Sequence, residues 1–557
     1  MREFGRWIQE QDWLNVFKAE NAQQKADALY ETLQSAIDKF IPQKTINTQT
    51  NSKPWISQRV KTLIKKRQAA FTLGQVERYN KLRNKVRREI EKAKVHFYAN
   101  RVRTLKEMNP RKWHQQIKSM TGSTKSEGRI PIQGISDGDH ITIANIINDQ
   151  FVKVSSHMQP LDLGLLEAYL PAKELPPSLY PWEVYSQRKK VKGNKAAGPD
   201  GISPKLIKKF AYELSTPLTD VLNCSYKNGV VPKQWKKAIV VPIPKTKPPQ
   251  ADKLRPVSLT DCFSKIGEGF VTKWILEDIQ YKIDLNQFGN IAGISTSHYL
   301  VSLLHSLHQG ADRGNNIGTM VLTDFSKAFD NIDHTILIQK CIRLGVRRSI
   351  VPWLCDFVSN RAQCVRYNQV LSEYRVLNGA VPQGTKLGSV AFQVMINDAV
   401  QNSGGNVECW KYVDDLTLLE NRSFNKPSGL QEVLDEFTEW TKNNKHSLHP
   451  SKCRAVQTCF RAIPPPPADL HIEGVSLDFV SEAKILDVWL QNDLGWQNIL
   501  TKFPRKPTRK CICSSYSRNL DLTTKSSSQS IKAMSGLQLN TLMLSGRPLL
   551  PPPKRKL

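Results

Sequence analysis

The 557-residue sequence has no run of about 18 apolar residues, so a helix crossing a bilayer is not expected. Its start, from Met1 to Trp13, is charged and amphipathic where a secretory leader would be uniformly apolar, so none is expected. Cysteine is sparse. The ten thiols are scattered without framework spacing, which argues against a disulfide-stapled scaffold and for a reduced, intracellular compartment. No internal repeat is found, which excludes a solenoid. Acidic residues are in deficit, 50 against 80 Lys and Arg. The hydrophobic fraction of 39% and aromatic fraction of 8% are still enough for a packed core, so wholesale disorder is excluded too. The length leaves room for about three or four domains.

The surplus of +30 is unevenly spread. Residues 53–118 hold 20 basic and 4 acidic residues, and residues 497–557 hold 12 and 1. Residues 119–496 are close to balanced, at 42 and 38, and residues 1–52 hold 6 and 7. A near-neutral body carrying a basic arm points to a polyanionic partner held beside a core. A solvated helix face is the alternative for a basic stretch taken alone.

The pattern along the chain suggests five segments. Residues 1–52 form a helical linker with an amphipathic helix at 22–40. Residues 53–118 form a basic helical arm, opening at Pro54-Trp55 and broken near Asn109-Pro110. Its apolar residues Val60, Leu63, Ile64, Val86, Ile90, Ala93 and Phe97 recur at helical spacing. Phe71, Tyr79, Phe97, Tyr98 and Trp113 interleave the charges; packing along the helix stripe explains most of them, stacking on bases the rest. Residues 119–194 read as a connector with one helical piece at 142–158. From 195 to 490 short β-rich runs alternate with helices, an α+β pattern. Pro464–Pro467 is a rigid spacer. In 491–557 periodicity fades into a basic, low-complexity tail, for which a disordered end and a shifted reading frame are both explanations.

Two acidic motifs carry chemistry. In 318–334, GTMVLTDFSKAFDNIDH, the apolar run Met320-Val321-Leu322 delivers Asp324 to a strand end. In 407–420, VECWKYVDDLTLLE, two β-prone runs flank Tyr412-Val413-Asp414-Asp415, so a hairpin would carry adjacent carboxylates at its tip. Acidic turn residues are usually just solvated. Between two hydrophobic strands, however, unpaired charges are costly unless a cation offsets them. Two Mg²⁺ ions held by such carboxylates would suit in-line phosphoryl transfer, because Mg²⁺ prefers hard oxygen ligands.

With these motifs stand KAAGPDGISPKLIKKF (195–210), PIPKTKPPQADKLRPVSLTDCFSKI (242–266), NQFGNIAGISTSH (286–298), GAVPQGTKLGS (379–389) and SLHPSKC (447–453). In this order they resemble the ordered blocks of non-LTR (LINE-type) retrotransposon reverse transcriptases over residues 195–490. The resemblance implies a right-hand polymerase with fingers and palm, preceded by the basic helical region, with a thumb that is degenerate or missing. It implies an RNA-directed DNA polymerase that extends a DNA primer on an RNA template with dNTPs, using Mg²⁺ (two ions, or Mn²⁺), away from membranes and in the nucleus. A truncated product that binds RNA without catalysis is the competing expectation.

Residue roles follow from the same resemblance. Asp324, Asp414 and Asp415 are the implied metal ligands and catalytic carboxylates. Lys452 matches the general acid for pyrophosphate, although a lone loop lysine is equally a surface charge. Phe329 falls at the steric gate against a ribose 2′-hydroxyl, with a core phenylalanine as the alternative. Arg255 and Lys245 match contacts to the triphosphate. Gln383 and Gly384 match the loop under the template base, or make an ordinary Pro-Gln-Gly turn. Asp330 and Asp333 read as helix-start and structural carboxylates. His446, His449, Cys453 and Cys459 invite a zinc reading, which the missing CxxC pair and the match of their block to the polymerase reject. One departure stands out: KILDVWL (484–490) has Asp487 where the family has glycine. No endonuclease domain is expected within the roughly 50 residues ahead of the arm.

Overall fold

A computed structural model describes residues 2–42, 55–108, 138–164, 174–246, 248–313, 316–400, 407–461 and 463–494, with a few single positions between them. The expected break at Asn109-Pro110, the aromatic Trp113 and the tail from 495 lie outside the described residues. The chain divides into two compact units. One holds Met1–Phe4, Ser35–Asp137 and Pro244–Leu254; the other holds Gly5–Gln34, Gly138–Ile243 and the described residues from Arg255 onward.

In the first unit the basic segment is a hairpin of two helices, Gln58–Thr72 and Val76–Met108. The sequence pattern predicts no break between them, and the structure corrects this. Leu73 N donates to Ala69 O and Gly74 N to Phe71 O, and Gly74 takes φ 64°, the left-handed conformation that ends helices. Ser57 caps the first helix by accepting from Val60 N at 3.4 Å. Val60, Ala70 and Val86 are buried. The aromatics mostly meet one another: Phe71 lies 5.4 Å from Tyr79, and Trp55 lies 5.4 Å from Tyr98 and 6.2 Å from Phe97.

The second unit has two five-stranded sheets. The central one is ordered β12-β9-β3-β8-β7, with β3 at Asn316–Asp324, β7 at Val407–Tyr412, β8 at Asp415–Ser423, β9 at Arg454–Thr458 and β12 at Asp478–Phe479. Strand β3 runs antiparallel to both neighbours, and both of its faces are covered. On one face, Tyr299, Leu303 and Leu307 from helix Thr296–Asp312 meet Met320, Trp410 and Leu419. Beside the sheet, Phe325 packs edge-on against Phe392 of helix Lys386–Met395 and Phe437 of helix Leu430–Asn443.

The other sheet is built from β1 (Lys237–Pro244), β2 (Leu254–Leu259), β4 (Arg361–Tyr367), β5 (Val370–Leu371) and β6 (Arg375–Leu377). Helix His140–Val152, read from sequence as a piece of connector, packs onto β4. Its buried Asn148 donates to Gln363 O, Ser372 Oγ and Glu373 O. Helix Ala22–Phe40 matches the segment expected at 22–40. It is no free linker: Lys25 pairs with Asp220 at 2.6 Å, and Tyr30 OH accepts from Trp235 Nε1 at 3.1 Å. The two-stranded pairs are β10 (His471–Ile472) with β11 (Val475–Ser476), and β13 (Glu482–Ile485) with β14 (Val488–Gln491). Fold class is thus mixed α and β, as the pattern suggests.

Candidate active site

Strand β3 ends on Asp324, and β8 begins on Asp415. The antiparallel register pairs these two residues directly. Opposed residues in such a ladder project to one face, so both carboxylates share it. Strands β7 and β8 are joined by a two-residue turn, Val413-Asp414, between the paired Tyr412 and Asp415. Asp414 therefore sits at the hairpin tip next to the other two. Val413 has φ 58°, a conformation that a β-branched residue adopts only under constraint.

The end of β3 is pinned by the loop after helix Leu430–Asn443. His449 N donates to Asp324 O at 2.8 Å, and Ser326 N to Ser447 O at 2.8 Å. This loop brings Lys452 Nζ to 3.1 Å from Asp324 Oδ2, with both side chains open to solvent. Burial against the sheet, then the charges of Asp414 and Asp324, raise the Asp415 carboxyl to about 6, although it opens onto the surface. An open cleft runs from Asp324, Asp415 and Lys452 to Arg454, Lys484 and Trp489.

Among the described residues, no three His, Cys, Asp or Glu side chains close around a point as a ready-made metal cage. The donor chemistry nevertheless fits Mg²⁺: hard carboxylate oxygens lie on one face, and burial together with their neighbours' charges raises Asp415. Mg²⁺ commonly takes one or two carboxylates and completes its shell with water and substrate phosphate.

The other sequence candidates divide. Phe329 stacks on Phe392 at 5.0 Å and is half-buried, so its ring is both core and surface. Gln383 Nε2 donates to Asp330 Oδ1 at 3.3 Å, while Gln383 O accepts from Ser258 N at 3.0 Å, docking this loop on β2. Gly384 has φ 107°, which demands glycine. Arg255 is exposed on the same strand β2. Lys245 is exposed just past β1 and belongs to the first unit, whereas the carboxylates belong to the second. Asp333 caps helix His334–Arg343 by accepting from Ile336 N at 3.0 Å, as read from sequence. His446 is buried and stacks on Trp440, and its basicity falls to about 4 through burial and Lys340.

At the departure from family pattern, Leu486 and Asp487 form the β13–β14 turn with φ 45° and 71°. Both central positions are left-handed, the geometry that favours glycine. Lys484 steadies Asp487 at 2.8 Å.

Sequence reading missed a buried acid pair. Asp200 N donates to Asp261 Oδ1 at 3.1 Å, and the second carboxyl oxygen of each residue is buried without a hydrogen-bond partner. Burial raises Asp200 to about 6; burial and then the charge of Asp200 raise Asp261 to about 8. The one available signal was an acid inside each of two otherwise apolar, turn-like motifs, GPDGI and SLTDCF.

An acidic strand end beside an acidic hairpin tip is a carboxylate group suited to a divalent cation. Residues 243–466 match the family described as reverse transcriptase (RNA-dependent DNA polymerase). The chain carries a reverse transcriptase domain. Over 385 residues it is 28% identical to a Drosophila melanogaster protein called probable RNA-directed DNA polymerase from transposon BS, covering 65% of this chain and 40% of that one. It is also 26% identical to the X-element counterpart over 58% of this chain and 36% of the relative. For the polymerase of mobile element jockey, from the same fly, identity is 27% over 49% and 31%. Over these stretches the chain is similar to polymerases of fly transposons, and it spans about two fifths of the length of the first of these relatives or less. No helix among the described residues is long and apolar enough to cross a membrane.

Proposed function

We propose that this chain extends a DNA primer on an RNA template, with the central sheet as palm and the β1–β2–β4 sheet with its helices as fingers. On this reading, segment 195–490 is the catalytic body, and the basic hairpin within 53–118 grips the nucleic-acid backbone. The observation that carries it is the register of β3 with β8, which supports Asp324, Asp415 and the adjacent Asp414 acting as one group.

Asp324, Asp414 and Asp415 would hold Mg²⁺ or Mn²⁺, which supplies an activated primer hydroxyl and a stabilised leaving oxygen. Lys452, at 3.1 Å from Asp324, is positioned to give a proton to departing pyrophosphate. Phe329, backed by Phe392, bars a ribose 2′-hydroxyl. Gln383 and Gly384 support the template base, while Arg255 neutralises the triphosphate. Action on a chromosomal target accounts for a nuclear site of work.

The test is Mg²⁺-dependent dNTP incorporation on a primed RNA. Phe329→Ala should admit ribonucleotides at least tenfold better than the parent. Salt-sensitive RNA binding without any incorporation would instead favour the binding-only product.

A further inference from the structure

Behind the hairpin that carries Asp414, on the side away from Asp324, lies a second set of contacts. Lys411, on β7 three residues before Asp414, is fully buried. Its ammonium meets Asp284 Oδ2 at 2.6 Å and donates to Asn397 O at 3.1 Å. Asn397 ties the group together, since its Oδ1 accepts from Asp284 N at 2.9 Å and its Nδ2 donates to Lys282 O at 3.0 Å. Asp284 also orders its own loop by accepting from Asn286 N at 2.9 Å.

This ion pair fastens segment 284–289 alongside β7. Lys411 N donates to Asn286 O at 2.9 Å, and Phe288 N donates to Lys411 O at 2.8 Å, a parallel bridge centred on Gln287. The bridge sets Gly289 against the turn. A Cβ at 289 would collide with Val413 N and lie 2.8 Å from Val413 Cγ2. Only a bare backbone fits there.

Val413 holds a left-handed φ of 58°. Strained backbone persists only where the surroundings over-determine it. Here those surroundings are a backbone bridge, a glycine with no room for a methyl, and an ion pair whose separation would strand the buried Lys411 charge.

We propose that Asp284, Lys411 and Gly289 clamp the Val413-Asp414 turn in its left-handed form, so that Lys411 and Asp284 are positioning residues for the carboxylate at the hairpin tip. The proposal rests on reading Asp414 as one of the catalytic carboxylates. Neither Lys411 nor Asp284 lines the cleft. They act through the turn.

The experiment uses the full chain with Lys411→Met, Gly289→Ala, the paired replacement Asp284→Leu with Lys411→Met, Val413→Gly, and Asp414→Ala as reference. The readouts are Mn²⁺ titration, hydrogen exchange across 407–416, primer extension and circular dichroism. Asp414→Ala should weaken Mn²⁺ binding at least tenfold; if it does not, the catalytic reading of Asp414 fails, and the clamp with it. With that reference behaving, Lys411→Met and Gly289→Ala should each weaken Mn²⁺ binding about tenfold and speed exchange at 407–416, leaving strand β9 unchanged. In extension assays the loss should fall on kcat, with KM for dNTP within about twofold. The paired apolar replacement keeps the fold measurable if Lys411→Met alone unfolds. Combining Lys411→Met with Val413→Gly should cost no more than the larger single loss, because both release the same turn. Mn²⁺ affinity within twofold of the parent in Gly289→Ala and in the paired variant, or strictly additive losses, would overturn the clamp while leaving Asp414 catalytic.

Discussion

At the scale of single residues, the chain uses carboxylates in two opposite ways. Asp324 and Asp415 face one open cleft, with Asp414 in the adjoining turn, where a cation can neutralise them. Asp200 and Asp261 crowd together under cover, and the cheapest way to relieve them is a retained proton. Folding therefore takes up protons at this pair, whose ordinary value is 3.8 and whose folded values are about 6 and 8. Both states are protonated below the lower value, so the pair costs nothing there. As pH climbs from about 4 towards 8, the folded state must surrender protons that the unfolded chain has already lost, and stability falls. The melting temperature should decline across that window. Asp261→Asn, which keeps an oxygen for the Asp200 N–H and carries no charge, should flatten the decline. An unchanged slope in the variant would show that other groups govern it. The pair was not legible in the sequence because its members lie 61 residues apart and neither follows a periodic pattern.

At the scale of elements, legibility follows how local the controlling physics is. Apolar runs around Asp324 and around the Tyr412–Asp415 turn announce strands, and a one-to-one antiparallel ladder leaves little freedom in where their ends meet. Helix Ala22–Phe40 shows through its periodicity for the same reason. The break at Gly74 is a case where a local signal existed, since glycine after a helical run is the usual C-terminal stop. Long-range attachments left no such trace. Asn148 reads as one polar residue on a short helix, yet it donates to acceptors more than 200 residues away. Asn148→Ala strands those buried acceptors and should cost about 1–3 kcal/mol, read as a lower melting temperature with early exchange in β4. At the β13–β14 turn the effect runs the other way. Asp487→Gly removes the left-handed penalty of about 1 kcal/mol and loses only an exposed ion pair, so exchange across 482–491 should slow. Faster exchange there would mean that the Lys484 contact outweighs the backbone.

At the scale of the whole molecule, the proposed function would have the basic arm hold nucleic acid and the acidic cleft carry the chemistry. Over residues 58–99 the helical hairpin carries its lysines and arginines mostly outward around a thin buried seam of Val60, Ala70 and Val86. Backbone binding by such a surface is driven by counterion release, with a logarithmic salt slope of about 0.7 per phosphate neutralised on single strands. Replacing Lys61, Lys65 and Lys66 by Gln should reduce the slope for RNA binding by about 2, whereas Asp324→Ala should leave it unchanged. An identical slope in the triple variant would place the RNA elsewhere. Composition made this arm visible, but its hairpin form and the attachment of residues 5–34 to the second unit depended on contacts that composition does not carry. The proposed polymerase activity requires the carboxylates at the ends of β3 and β8 and in the turn beside them to act as one catalytic group. Its most direct test is primer extension on RNA with Mg²⁺, comparing the chain with Asp414→Ala while RNA binding is followed in parallel. Incorporation should drop at least a hundredfold in the variant with RNA affinity intact; incorporation equal to that of the parent would contradict a catalytic role for Asp414.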